Sequence, residues 1–157
     1  MKKVAITTEK VLEAYNIIGM AKYSKLDDAD KIKAWKITRQ LKPIAEKFDE
    51  ESKDAAEKMK PSEDYDERLA KAQEYETEIR KPGCDASKLP MGAAEYAQFI
   101  EEFKAYQKLV GDTVKDFAEK EVEVEFEPLS EEAFGKLMAS NDWTMQQVTA
   151  LGDLVCE

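Results

Sequence analysis

The four glutamates of "EVEVEFEPL", Glu121, Glu123, Glu125 and Glu127, alternate with Val122, Val124 and Phe126. A row of carboxylates can hold a divalent cation, meet a basic protein surface, or line the wet side of a strand. Geometry disfavours the cation. Same-face residues of a strand repeat about every 6.5–7 Å, so side chains that repel one another cannot converge on one ion unless a second element supplies ligands. Other chemistries fail at the level of residue type. The chain has no histidine, which removes Ser-His-Asp and Cys-His catalysis, most zinc sites and the Glu-x-x-His pairs of di-iron bundles. Cys84 and Cys156 cannot form a four-thiolate site alone. "DDAD" at 27–30 lacks the glycine and the closing glutamate of an EF-hand loop and reads better as a helix cap. No Gly-rich phosphate loop, nucleophile elbow or kinase signature occurs. No carboxylate pair is marked by an apolar setting, as acid–base catalysis requires. The sequence therefore assigns no catalytic residue, no cofactor and no metal, and the expectation is a non-enzymatic protein.

Charge narrows the partners. The 157 residues are 37% charged, with a net charge of −10. A nucleic-acid binder needs a positive footprint for phosphates, so direct binding is not expected. The charge is segregated. Residues 1–45 carry ten Lys/Arg against five Asp/Glu, whereas residues 119–157 carry two against ten. Either the two ends neutralise each other, or an acidic face is presented to a basic partner or to a second copy. Hydrophobic residues make up 43%, enough for a core, while Gly and Pro number only six and five. Long, solvent-washed helices suit that composition. The apolar run after Lys2 and Lys3 stops at Ile6, and no stretch approaches the length of a membrane span. Two cysteines are too few for a disulfide framework, so a reducing compartment is expected. These points predict a chain that works in the cytoplasm or within an assembled particle, away from membranes.

The elements that must position these residues follow from periodicity. Thr7 caps a first helix that should end near Ser24, with Ile6 and Val11 as its hydrophobic staple. Asp27 or Asp28 caps a second helix, in which Ala34, Ile37, Leu41, Ile44 and Phe48 step by three and four in a coiled-coil-like seam continued by Ala55 and Met59. Pro43 predicts a bend and Pro61 a break. Residues 61–90 read as a polar arm and loop, in which the thin stripe of Tyr65, Leu69, Ala72 and Ile79 over 63–80 fits either a weakly anchored helix or a mobile arm. A long helix over about 91–119 carries the best seam, from Tyr96 through Phe99, Phe103, Tyr106, Val110 and Val114 to Phe117. Its length matches the second helix, which predicts an antiparallel pair. Gly111 suggests a close approach. Ser130 caps a short helix, Thr144 with Gln147 forms a capping box for the last one, and Trp35 and Trp143 are expected in the core.

The strand needs a hydrogen-bonding partner. "KVAIT", residues 3–7, is the other good candidate. Pairing it with residues 121–127 places apolar side chains on the helices and sets Lys2 or Lys3 beside the glutamates. The expected fold is thus mainly α, a long antiparallel helical hairpin or bundle with a small two-stranded β element, forming a single domain over 1–157. Both sheet edges stay open, and an open edge is either guarded by charge or accepts a strand from a partner. Partner contact is expected at Glu121, Glu123, Glu125 and Glu127, and at Tyr65 and Tyr75, because tyrosine serves contact surfaces as well as cores.

The layout of "TTEKVLEAYNII", "KITRQLKPIAEKF", the polar arm, "EKEVEVEFEPL" and "TMQQVTALGDLV" resembles the small, uncharacterised helical proteins of tailed-phage and prophage genomes. The resemblance covers nearly the whole chain. It implies a phage setting, with a role in virion structure, assembly or host interaction, and it carries no activity onto particular residues. The expectation is a structural or protein–protein interaction protein that binds a protein partner or itself. The alternative is an acidic inhibitor or DNA mimic that occupies a basic groove on a host protein.

Overall fold

The computed structural model describes residues 1–157. The fold is mainly α with one small β element. Strand β1 (Lys2–Thr7) leads into α1 (Thr8–Gly19), followed by α2 (Asp28–Lys58) and α3 (Tyr65–Ile79). A short 3₁₀ turn at Ala86–Lys88 precedes α4 (Ala93–Glu119), then β2 (Glu121–Phe126), α5 (Glu131–Ser140) and α6 (Met145–Val155). No helix is long and apolar enough to cross a membrane.

Local chemistry sets most boundaries. The Asp27 carboxylate accepts from the Asp30 N–H at 2.8 Å and starts α2. Ser130 Oγ accepts from the Ala133 N–H and caps α5. Thr144 and Gln147 form the reciprocal capping box that starts α6. Thr7 precedes α1 in an extended conformation without a side-chain cap; the Thr8 hydroxyl instead donates to the Lys120 carbonyl at 2.8 Å. Helix α1 stops at Gly19 rather than near Ser24, and the Tyr23 hydroxyl reaches back to the Ile18 carbonyl. Helix α2 runs through Pro43 without interruption.

The chain forms two compact units, residues 1–52 with 115–157, and residues 53–114. The sequence suggested one domain with an arm at 61–90. Each unit has its own core. In the first, Val11, Ile18, Ile37, Leu41, Phe126, Leu129, Leu137, Leu151 and Leu154 are buried together. Phe134 lies against Gly152, where a Cβ would come within 3.1 Å of the ring and the ring would have to give by a few tenths of an ångström. In the second, Tyr65, Ala72, Tyr75, Met91, Phe99 and Tyr106 form the core. The seams of α2 and α4 are therefore divided between two cores: Ile37 and Leu41 serve the first, while Phe99 and Tyr106 serve the second. Within the second unit the Tyr106 hydroxyl bonds the Ala56 carbonyl of α2.

Two expectations change, and one pair of alternatives is decided in favour of a helix. Trp35 is 55% exposed, with the Arg39 guanidinium 4.8 Å from its ring centroid. It falls one residue beyond Ala34, about 100° around the helix from the buried seam. Gly111 has no neighbour within 4 Å of where its Cβ would be, so it marks no close approach. Residues 65–79 form a helix anchored by buried Tyr65, Ala72 and Tyr75, because its apolar stripe meets the aromatic side chains of α4.

Candidate functional site

Strands β1 and β2 pair antiparallel with Lys3 opposite Glu125, Ala5 opposite Glu123 and Thr7 opposite Glu121. Side chains alternate across the pleat. Val4, Ile6, Val122, Val124 and Phe126 turn to the first core. Lys3 and Ala5, with Glu121, Glu123 and Glu125, are exposed on the opposite face. The Lys3 ammonium lies 3.1 Å from the Glu123 carboxylate. One lysine thus stands among three glutamates, and this face keeps an excess of negative charge.

Glu127 is not part of that row. Strand β2 ends at Phe126, and Glu127 turns to α2, where its carboxylate lies 3.2 Å from Lys33. That pairing holds the Lys33 ammonium above its ordinary range. Tyr65 and Tyr75 do not join the surface either. They are 3% and 5% exposed and belong to the second unit. Tyr65 packs 4.9 Å from Tyr106 and 5.8 Å from Phe99, and Tyr75 stacks on Tyr96 at 4.4 Å. Their expected role as partner contacts gives way to a core role, since α3 spends its thin apolar stripe on α4.

The ladder has a phase. The Thr8 N–H donates to the Lys120 carbonyl at 2.8 Å, which makes that pair a hydrogen-bonded one. Alternation along an antiparallel ladder then directs the backbone groups of Lys2, Val4 and Ile6 towards β2. Those of Lys3 and Ala5, with the N–H of Thr7, point the other way; the Thr7 carbonyl is taken by the first turn of α1. The sheet has only two strands, so these free groups point at an open edge.

Beside that edge lies a groove of about 810 Å³, with residues Val4–Thr7 on one side and Met145, Thr149 and Asp153 of α6 among the residues opposite. Lys10, Glu13 and Glu121 line it as well. The Lys2 ammonium fixes the far end, donating to the Asp153 carbonyl at 3.0 Å and the Cys156 carbonyl at 2.6 Å. A cation on the terminal carbonyls of α6 is also favoured by the helix dipole. Burial pushes the Cys156 thiol up, so the cysteine nearest this groove is a weaker nucleophile than a free one. Cys84 and Cys156 are both free thiols.

A scan of protein-family models, a search of curated proteins and a search of solved structures returned no match to this chain. Function must therefore be argued from the surface itself.

Two features of this region are absent from the sequence reading. The groove requires α6 to lie along β1, which no local pattern encodes. Asn141 clips the loop after α1 to the end of α5. Its side chain accepts from the Lys22 N–H at 2.8 Å and donates to the Lys22 carbonyl at 3.0 Å and the Leu137 carbonyl at 2.8 Å. An asparagine at a helix end was the only available signal.

Proposed function

We propose that this protein acts by contact and not by covalent chemistry, as a structural or protein–protein interaction protein. Its contact surface is the open side of the small sheet. The setting is the one its layout resembles, a phage or prophage, where such a protein would serve virion assembly or host interaction. The carrying observation is the edge of β1. Lys3 and Ala5 direct unpaired backbone donors and acceptors into a groove, joined by the N–H of Thr7, whose carbonyl starts α1, and an edge of that kind is a template for pairing. No proline or bulge protects it, and the side chain it offers as a guard, Lys3, is engaged with Glu123. Sedimentation over a wide concentration range, combined with co-purification against the products of neighbouring genes, tests the reading. The expected result is self-association or a stable complex with a co-encoded protein. A strict monomer that binds none of them would refute it.

A second reading is supported by the wet face. Glu121, Glu123 and Glu125 present three carboxylates in line, with one lysine among them. This suits an acidic mimic that occupies a basic groove on another protein. Replacing all three by lysine should abolish such binding and leave folding intact, because these side chains are exposed and make no core contact. Retained affinity for the basic partner, measured by titration calorimetry, would rule out the mimic.

A further inference from the structure

The geometry points to a second copy of this chain as the occupant of the open β1 edge, joined by antiparallel β1–β1 pairing into a four-stranded sheet. This rests on the contact reading above and names its partner.

Parity and charge select the register. Lys3 and Ala5 have both backbone groups free for a new ladder, while Thr7 offers only its N–H, because its carbonyl starts α1 as the N-cap; hydrogen-bonded pairs across the edge must therefore join odd-numbered residues. A two-fold axis through Ala5 pairs Lys3 with Thr7 of the other copy, Ala5 with Ala5, and Thr7 with Lys3. The two Ala5 residues then exchange both bonds, and each Thr7 N–H donates to the Lys3 carbonyl of the other copy. The same register sets Val4 opposite Ile6 on the core face, apolar against apolar. An axis through Val4 would instead set Lys2 opposite Ile6 and pull its ammonium from the Asp153 and Cys156 carbonyls. An axis through Ile6 would leave Lys3 out of the ladder.

The groove is self-complementary in that register. One end of β1 carries Thr7, with Lys10 in the next helical turn and Glu121 as its neighbour on β2. The other end carries Lys3, with Asp153 nearby in the groove wall. The two-fold axis lays each end against the other. Lys3 of one copy then meets Glu121 of its partner across Thr7, and Lys10 meets Asp153. Glu13 lines the same end as Lys10, so that end brings one lysine and two glutamates to the Lys3 and Asp153 of the other copy. Met145, 77% exposed in the groove wall, gains an apolar cover. Isologous two-fold contact is the commonest form of homo-oligomer.

Three variants test this, each read by sedimentation and circular dichroism. Ala5→Pro removes an N–H that points away from β2, a position where an edge strand tolerates proline. It should abolish the dimer and leave the helical spectrum unchanged. Thr7→Lys places a lysine beside Glu121 within its own chain but opposite Lys3 of the other copy. It should weaken dimerisation several-fold with only a small loss of monomer stability, because a lysine at the N-cap of α1 opposes the helix dipole while pairing with Glu121, and it decides the matter if the proline variant misfolds. Ala5→Cys, with Cys84→Ser and Cys156→Ser, should form a disulfide-linked dimer under mild oxidation, since Cα atoms in a hydrogen-bonded pair lie about 5.5 Å apart, within disulfide reach. A dimer unaffected by Ala5→Pro and Thr7→Lys would overturn β1–β1 pairing while leaving the contact reading in place. A monomer that instead captures a co-encoded protein through an Ala5→Pro-sensitive edge would overturn the second copy as occupant. A monomer with no such partner would overturn both.

Discussion

Phe99→Ala should lower the stability of the second unit by about 3–5 kcal/mol, the range for deleting a buried aromatic side chain. Phe99 is almost completely buried. It touches the core from several directions: Tyr65 lies 5.8 Å from its ring centroid and Phe103 6.3 Å. On its remaining face the Arg68 guanidinium lies 5.4 Å from the centroid while pairing with Glu102 at 2.8 Å. Removing the ring thus opens a cavity and also takes away the surface on which a half-buried ion pair rests. Refilling is difficult, because Tyr65 and Tyr106 are held by their own packing and by the Tyr106 bond to the Ala56 carbonyl. Hydrogen exchange resolved by residue is the suitable measurement, because a chain with two cores need not unfold in one step. The largest loss of protection should fall on α3, whose anchor Tyr65 packs directly on Phe99. Phe103→Ala, at a half-buried position of the same seam, should cost less. A Phe99→Ala loss under about 1 kcal/mol would mean that the aromatic cluster does not hold α3.

The seam containing Phe99 was legible because period and length agree over many turns, and the same holds for the capping residues Asp27, Ser130 and Thr144, whose chemistry is local. The strand pairing was legible for a different reason. Only two stretches alternate, their charges complement each other, and a one-residue slip would send Val124 and Phe126 to water. The failures concern what periodicity omits. A stripe of Tyr65, Leu69 and Ala72 says that one face is apolar but not what covers it, so buried tyrosines were assigned to a contact surface. Trp35 shows the converse. A large apolar residue beside a seam looks like core until the helix is rotated into place. The division into two cores was hidden because one unbroken helix carries both halves of each seam.

The candidate surface was half legible. Its glutamates were visible as one face of a strand. What makes the edge specific is the phase of the ladder, and that depends on the Thr8–Lys120 hydrogen bond at the mouth of the sheet, between residues far apart in sequence. The groove depends in turn on α6, held beside β1 by Lys2 at its carbonyl end. Lys2 or Lys3 was expected beside the glutamates, and Lys3 is the one that pairs there. The position of Lys2 on the core-facing parity of β1 leads its ammonium to α6 instead, leaving Lys3 alone to offset three carboxylates. That single placement accounts for the excess of negative charge on the wet face.

Phe126→Ala and Glu125→Ala, one residue apart, should differ by several kcal/mol. Phe126 is the last residue of β2, opposite Lys2 in the ladder, and among the largest fully buried side chains of the chain. Its truncation should cost about 3–5 kcal/mol. A sheet of two strands is barely stable by itself and depends on packing against helices. The loss of this anchor should therefore loosen both strands together, and the β1 edge with them. Glu125 points to solvent from the other face, so its truncation should change stability by no more than about 0.5 kcal/mol. Paired urea unfolding curves, followed by hydrogen exchange at Val4, Ile6, Val122 and Val124, check both expectations. Protection at these residues should fall in Phe126→Ala and persist in Glu125→Ala. Equal effects from the two substitutions would contradict the register on which both the wet face and the open edge depend. If Phe126→Ala removes self-association while Glu125→Ala keeps it, contact requires an ordered strand edge and not negative charge alone, which separates strand pairing from the acidic mimic.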